Sequence, residues 1–274
     1  MKSQILNHRS LVLRMSGILC SAILAGALLT STPATAQTII YADDFSGSAA
    51  TNLNGLAPDV RSGTDGGSSS ATWTADTIGF KANGSVTGQT GNTRYAYLPF
   101  TPDTGKVYTL TVDLDPVDTT SGNWLAAGFT SSPTTSSSSF SANAPWVIYR
   151  QNGSGNAFES STTSFDSGAA FGTAGSVSDP ITLTLTLNTT TTLWTATYSA
   201  FDLTTATSLG SGSTTYASNP SITGVFLGSL ATSGTVDNFQ LSVTAVPEPS
   251  AFALLGIVLL AISWRARARR MRVG

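Results

Sequence analysis

Over residues 37–245 this sequence predicts an all-β fold, a two-sheet antiparallel sandwich. Three observations carry the prediction. Apolar and polar residues alternate with period two in run after run, as in strands with one buried face. Ser, Thr, Gly and Asn are dense, and no stretch shows the wide apolar stripe of a core-facing helix. No unit of about 20 to 50 residues repeats, which argues against a β-helix.

The elements follow in order along the chain. Thr38–Tyr41 opens the domain, and Ala71–Ala75, Ile78–Ala82 and Arg94–Phe100 come next, with Asn83-Gly84 as a turn signal. Tyr108, Leu110, Val112 and Leu114 then share one face, with Thr109, Thr111, Asp113 and Asp115 on the other. Trp124–Phe129 and Trp146–Arg150 are further strands. Ile181, Leu183, Leu185 and Leu187 alternate with Thr182, Thr184 and Thr186. Asn188–Thr192 turns the chain into a strand that sets Trp194, Ala196 and Tyr198 opposite Leu193, Thr195 and Thr197. Ile222–Leu230 and the run of Phe239, Leu241 and Val243 complete about eleven strands, enough for two packed sheets. Ser62–Ser70, Ser131–Ser139 and Ser208–Thr215 read as loops.

Both ends carry addresses. Lys2, Arg9 and Arg14 precede an apolar run from Met15 to Leu29, and Ala34-Thr35-Ala36 is a cleavage pattern, so residues 1–36 read as a secretory signal peptide with a signal helix. At the other end Val246-Pro247-Glu248-Pro249 is rigid, because its prolines fix φ and donate no backbone hydrogen bond. A helix over 250–264 follows, with Ser250 as N-cap and no charge from Ala251 to Trp264. Its 14 uncharged residues span about 21 Å against roughly 30 Å of hydrocarbon, short for a permanent single transmembrane helix. Its apolar side chains favour insertion by about 2 to 5 kcal/mol, and the arginines of the tail, 265–274, hold the C-terminus in the cytoplasm.

Composition narrows the chemistry. Removing residues 1–36 removes His8 and Cys20, the single His and single Cys of the chain. The remaining domain has no disulfide, no Ser-His-Asp triad, and no His or Cys ligand for zinc or copper. Between 37 and 246 the five basic residues Arg61, Lys81, Arg94, Lys106 and Arg150 stand against fourteen acidic ones, a net charge of −9. That sign disfavours a nucleic-acid partner and leaves divalent cations open. The domain has one Glu, Glu159, and its nearest acidic grouping is Asp113, Asp115 and Asp118. Paired carboxylates can hydrolyse glycosides, but these aspartates read as the solvated side of an amphipathic strand, so the domain is expected not to be an enzyme. Trp73, Trp124, Trp146, Trp194, Tyr95, Tyr97 and Tyr149 are the candidate sugar-stacking rings; Trp146, Tyr149 and Arg150 form the best polar-aromatic group for carbohydrate contact.

Two resemblances add to this reading. Val246-Pro247-Glu248-Pro249, the short helix and the arginine cluster over 246–274 resemble the PEP-CTERM sorting signal of Gram-negative bacteria. The resemblance implies export through the inner membrane, a transient hold there, and processing near Pro-Glu-Pro by an exosortase, with Val246, Pro247, Glu248 and Pro249 as the recognised substrate. Release to the cell surface or the medium follows, and such proteins are tied to exopolysaccharide and biofilm matrix. Tyr41-Ala42-Asp43-Asp44-Phe45 and Val236-Asp237-Asn238-Phe239-Gln240-Leu241-Ser242-Val243 resemble the first and last strands of concanavalin A-like jelly rolls. That likeness implies neighbouring terminal strands and a structural Ca²⁺ site at Asp43 or Asp44 with Asp237. The clustered E-x-D-x-x-E of laminarinase-type enzymes has no counterpart here. Together the expectations are a non-enzymatic structural or adhesive surface protein, alternatively a lectin-like carbohydrate-binding module, and more remotely an atypical glycoside hydrolase.

Overall fold

The computed structural model describes residues 37–87, 93–117, 123–135, 144–158, 168–173, 179–230 and 233–245, all within one compact unit, Ala36–Val246. The signal segment, Asp118, Glu159, the Pro-Glu-Pro motif, the helix at 250–264 and the arginine tail lie outside the described residues. Among those described, no helix is long and apolar enough to cross a membrane.

Fifteen strands form among the described residues: β1 (Gln37–Asp43), β2 (Val60–Arg61), β3 (Thr74–Ala75), β4 (Ser85–Val86), β5 (Thr93–Pro99), β6 (Lys106–Pro116), β7 (Trp124–Thr130), β8 (Trp146–Arg150), β9 (Ser154–Ala157), β10 (Ala169–Gly172), β11 (Ile181–Asn188), β12 (Thr195–Asp202), β13 (Thr207–Thr215), β14 (Gly224–Leu230) and β15 (Gly234–Ala245). They make the expected two-sheet antiparallel sandwich. One sheet has eight strands in the order β13-β12-β11-β6-β15-β1-β2, with β4 beside β15, and the other has seven in the order β10-β9-β8-β7-β14-β5-β3.

Period-two alternation places the core. Leu110, Val112 and Leu114 on β6 lie beside Leu185, Leu183 and Ile181 on β11, and each is 1 % exposed or less. They pack toward Leu125, Ala127, Phe129, Val147, Val225 and Leu227 of the second sheet. The second sheet is buried on its outer side as well. There Tyr95, Trp124, Ala126, Trp146, Ile148 and Phe226 form a separate apolar cluster. Burial on both faces explains why β7 and β8 read as nearly unbroken apolar runs.

The terminal strands are neighbours, as expected: β1 pairs with β15, Tyr41 opposite Leu241 and Asp43 opposite Phe239. Asn188–Thr192 does join a hairpin, with the Asn188 side chain accepting from the Thr190 amide at 2.9 Å.

Two expectations are corrected. Ile78–Ala82 is not a strand. The Asp76 carboxylate accepts from the amides of Ile78 and Gly79 at 2.9 and 2.8 Å and curls the segment into a turn, leaving single bridges at Phe80 and Lys81. Ser208–Thr215, expected as a loop, forms most of β13. This strand has almost no apolar set of its own, so periodicity missed it. Its glycines instead receive aromatic rings from neighbours: a Cβ on Gly212 would meet Tyr198 at 2.8 Å, and one on Gly210 would meet Phe171 at 2.8 Å. The short strands β2, β4, β9 and β10 were not anticipated either.

Candidate functional site

The end of β1 gathers acids. Alternation along β1 slips at a bulge between Ile39 and Tyr41, which buries both Ile40 and Tyr41 and turns Asp43 toward the interior, 8 % exposed. Two donors meet its carboxylate there. The Trp73 indole N–H donates to Oδ2 at 2.6 Å, and the Phe45 amide to Oδ1 at 2.9 Å. The second bond closes an Asx turn, with Phe45 in the left-handed region at φ 49°. Burial pushes the Asp43 carboxyl up, the two donors counteract it, and the charges of Asp59 and Asp44 push it further up.

Asp44 and Asp59 sit just outside. The Asp44 amide donates to Asp59 Oδ2 at 3.0 Å, and the Ser46 amide donates to Asp44 Oδ1 at 3.0 Å. Hydrogen bonds from Ser46 hold the Asp44 carboxyl below its ordinary value. Asp59 arrives because β2 pairs with β1, Val60 opposite Ala42. Carboxylate oxygens of Asp43, Asp44 and Asp59 all lie within 4.8 Å of one another. Three hard oxygen donors at that spacing, with lone pairs to spare, fit a calcium-sized cation that takes further oxygens from water or backbone. Sequence reading missed Asp59: it stands 15 residues beyond Asp44, and only the pairing of a two-residue strand brings it back.

Asp237 is elsewhere. It pairs across β15 and β6 with Asp113. The Asp113 carboxylate accepts from Thr182 at 2.5 Å and from the Asn238 side-chain amide at 2.8 Å. Asp113, Asp115 and Asp237, with Pro180 and Leu203, line a groove of about 160 Å³. Burial, then the charge of Asp179, raises the Asp115 carboxyl. Neighbouring terminal strands therefore do not bring Asp237 to Asp43, because Asp43 lies opposite Phe239 and a bulge between Asp237 and Gln240 shifts the register.

The aromatic candidates are buried. Trp73, Trp124, Trp146 and Tyr149 are 1 % exposed or less, and Trp194 is 8 % exposed. Trp146 and Tyr149 stand three apart on β8 and so point to opposite faces of the sheet. Tyr149 points inward, donates to the Asp179 carbonyl at 3.1 Å and stacks on Phe171 at 6.3 Å. Trp146 points outward, on the side of Arg150, whose guanidinium donates to Asn156 at 2.5 Å. The group Trp146, Tyr149 and Arg150 is thus split by the sheet, and an odd residue spacing was the signal that could have shown it. Tyr97, partly buried beside the outer cluster, is the most accessible ring of that face among the described residues.

Comparison with known proteins adds a match at the C-terminus. Residues 245–270 match the family model for the PEP-CTERM protein-sorting motif. A search of curated proteins found no match. Among solved structures the chain is similar to lectin I from Ulex europaeus in complex with the methyl glycoside of α-L-fucose, at 11 % identity and TM-score 0.46, covering 65 % of this chain and 93 % of that one. It is similar to an endo-1,3-β-glucanase from Streptomyces sioyaensis at 14 % identity and TM-score 0.45, covering 79 % and 100 %. It is also similar to peanut lectin with a bound 9mer peptide, at 8 % identity and TM-score 0.45, covering 65 % and 92 %.

Proposed function

We propose that this is an exported, exosortase-processed cell-surface protein whose sandwich plays a non-enzymatic structural or adhesive role in an exopolysaccharide matrix. One observation carries the reading: the sorting motif begins at residue 245, where β15 ends. The last strand of the sandwich thus hands the chain directly to the processing signal. In this reading residues 1–36 direct export, the helix at 250–264 holds the chain in the inner membrane of a Gram-negative cell with the arginines inside, and the exosortase cuts near Val246, Pro247, Glu248 and Pro249. The protein then moves to the surface or the medium. Calcium, where present, binds Asp43, Asp44 and Asp59 and ties β1 to β2, a structural task and not a catalytic one.

Intact mass of the protein recovered from the cell exterior tests the proposal. The expected species begins near Gln37 and lacks the arginine tail. A mature form that still carries Arg265–Arg272 overturns exosortase processing.

A glycan-binding module is the second reading. It rests on Tyr97, a ring left partly exposed on the outer side of the seven-stranded sheet, where Trp146, Arg150 and Asn156 lie buried on the same side. A glycan array with the exported protein separates the two: selective binding that a Tyr97→Ala variant loses favours the module, and an empty array leaves the structural role.

A further inference from the structure

Sheet edges offer unpaired backbone N–H and C=O groups, and proteins keep such edges short, charged or bulged. Among the described residues this sandwich has four edges. Strands β2 and β3 are two residues long and β10 is four, while β13 is nine. Thr207–Thr215 contains no charge and no proline. A bulge lies near its start, where Ala200 pairs with Gly210 but Phe201 with Ser208, leaving Leu209 extra. The bulge bends only that part away. Gly210–Thr215 pairs with β12 in unbroken register, and its backbone bonds to no other described segment. Its Ser211, Ser213 and Thr215 are exposed.

We propose that β13 is an interface, and that its partner is β13 of a second copy of this chain, paired antiparallel across a two-fold axis. Three features select that partner. Free backbone donors and acceptors in this register are matched by another extended strand. One long edge beside three short ones gives a closed pair and no filament, because a dimer has no second long edge to offer. Charge also permits it. The domain is strongly acidic overall, yet no carboxylate lies on β13 or on the two cross-strand rows beside it. Those rows are Ser213-Thr197-Thr186-Thr109 and Ser211-Ser199-Thr184-Thr111. Among the described residues none of these eight hydroxyls has a side-chain partner, and six of them, with Tyr198 and Gly212, line a shallow groove of about 430 Å³. Pairing through β13 joins two such sets of rows into one uncharged, hydroxyl-lined strip.

Side chains directly opposite each other across the axis must share a face. Ser211 therefore faces Ser213 of the other copy, or Ser213 faces itself. A Ser211→Lys, Ser213→Lys double variant sets like charges opposite in either register, and a Ser211→Glu, Ser213→Glu variant does the same. Sedimentation of the exported protein should show a dimer as concentration rises. Each double variant should be monomeric, and an equal mixture of the two should dimerise again. A Thr184→Lys, Thr186→Lys variant, two strands in from the edge, should still pair. Backbone amides of Ser211–Thr215 should exchange more slowly with deuterium at high concentration, a readout that needs no variant. A wild-type protein that stays monomeric, a dimer indifferent to both charge pairs, or β13 amides unaffected by concentration would each overturn the proposal.

Discussion

The Trp73 indole donates to the Asp43 carboxylate at 2.6 Å inside the sandwich, linking the end of β1 to the residue before β3. The indole packs edge-on against Phe239 of β15 at 5.1 Å and tilts against Phe45 at 6.0 Å. One side chain thus joins the first strand, the last strand and the turn that follows Asp43. Trp73→Phe keeps a ring in this place but withdraws one of the two donors from a buried acid. Loss of a hydrogen bond to such a group costs about 1 to 3 kcal/mol, and the smaller ring adds a packing loss. Urea unfolding should show the loss. In a double-mutant cycle with Asp43→Asn the two effects should couple by more than about 0.5 kcal/mol, because the residues are in direct contact.

Calcium separates the two acidic clusters. With the cation on Asp43, Asp44 and Asp59, added CaCl₂ should raise the melting temperature of the wild type, and Asp59→Ala should abolish the rise. Asp237→Ala should keep it, since Asp237 belongs with Asp113 across β15 and β6. The reverse pattern would put the cation in the groove beside Asp115. No rise in the wild type would remove the cation from either cluster.

Much of the fold was legible because burial on one face leaves a period-two record. The strands containing Leu110 and Leu183 lie where alternation put them, with their threonines outward. The record fails where a strand lacks its own apolar face. In β13 the inward positions are glycines covered by Tyr198 and Phe171, so the information sits on other strands. It fails again at the acidic site. Asp43 and Asp44 were readable from the motif at the first strand, but register decides which acid joins them. One bulge in β15 moves Asp237 away, and a two-residue strand brings in Asp59. The aromatic group failed for a simpler reason: proximity in sequence was taken without parity, and Trp146 and Tyr149 fall on opposite sides of β8.

Acid should loosen the loop that spans Ser62 to Ser70. Asp65 in that loop pairs with the ammonium of Lys106 at the start of β6, and Lys106 also reaches Asp103 at 3.0 Å. Hydrogen bonding from Lys106, then from Thr64, holds the Asp65 carboxyl below its ordinary value. A carboxyl depressed in the folded state binds its proton less readily there than in the unfolded chain. Its stabilisation is therefore complete above the ordinary carboxylate pKa and disappears as pH falls through the lower folded value. Asp65→Asn isolates this charge. Residue 65 sits at φ 58°, a region asparagine tolerates, so the backbone gains no strain. Side-chain exposures of 23 % for Asp65 and 30 % for Lys106 leave the pair open to solvent screening, so it is worth about 0.5 to 1 kcal/mol. Melting curves should show Asp65→Asn below the wild type at pH 7. The gap should narrow in 1 M salt, where the Debye length is about 3 Å, and close as pH falls below the ordinary carboxylate range, through the depressed folded-state value. A gap that persists unchanged into strong acid would mean that the loop is held by its hydroxyl and backbone bonds, such as Ser68 N–H to Tyr41 Oη at 2.7 Å, and not by this charge.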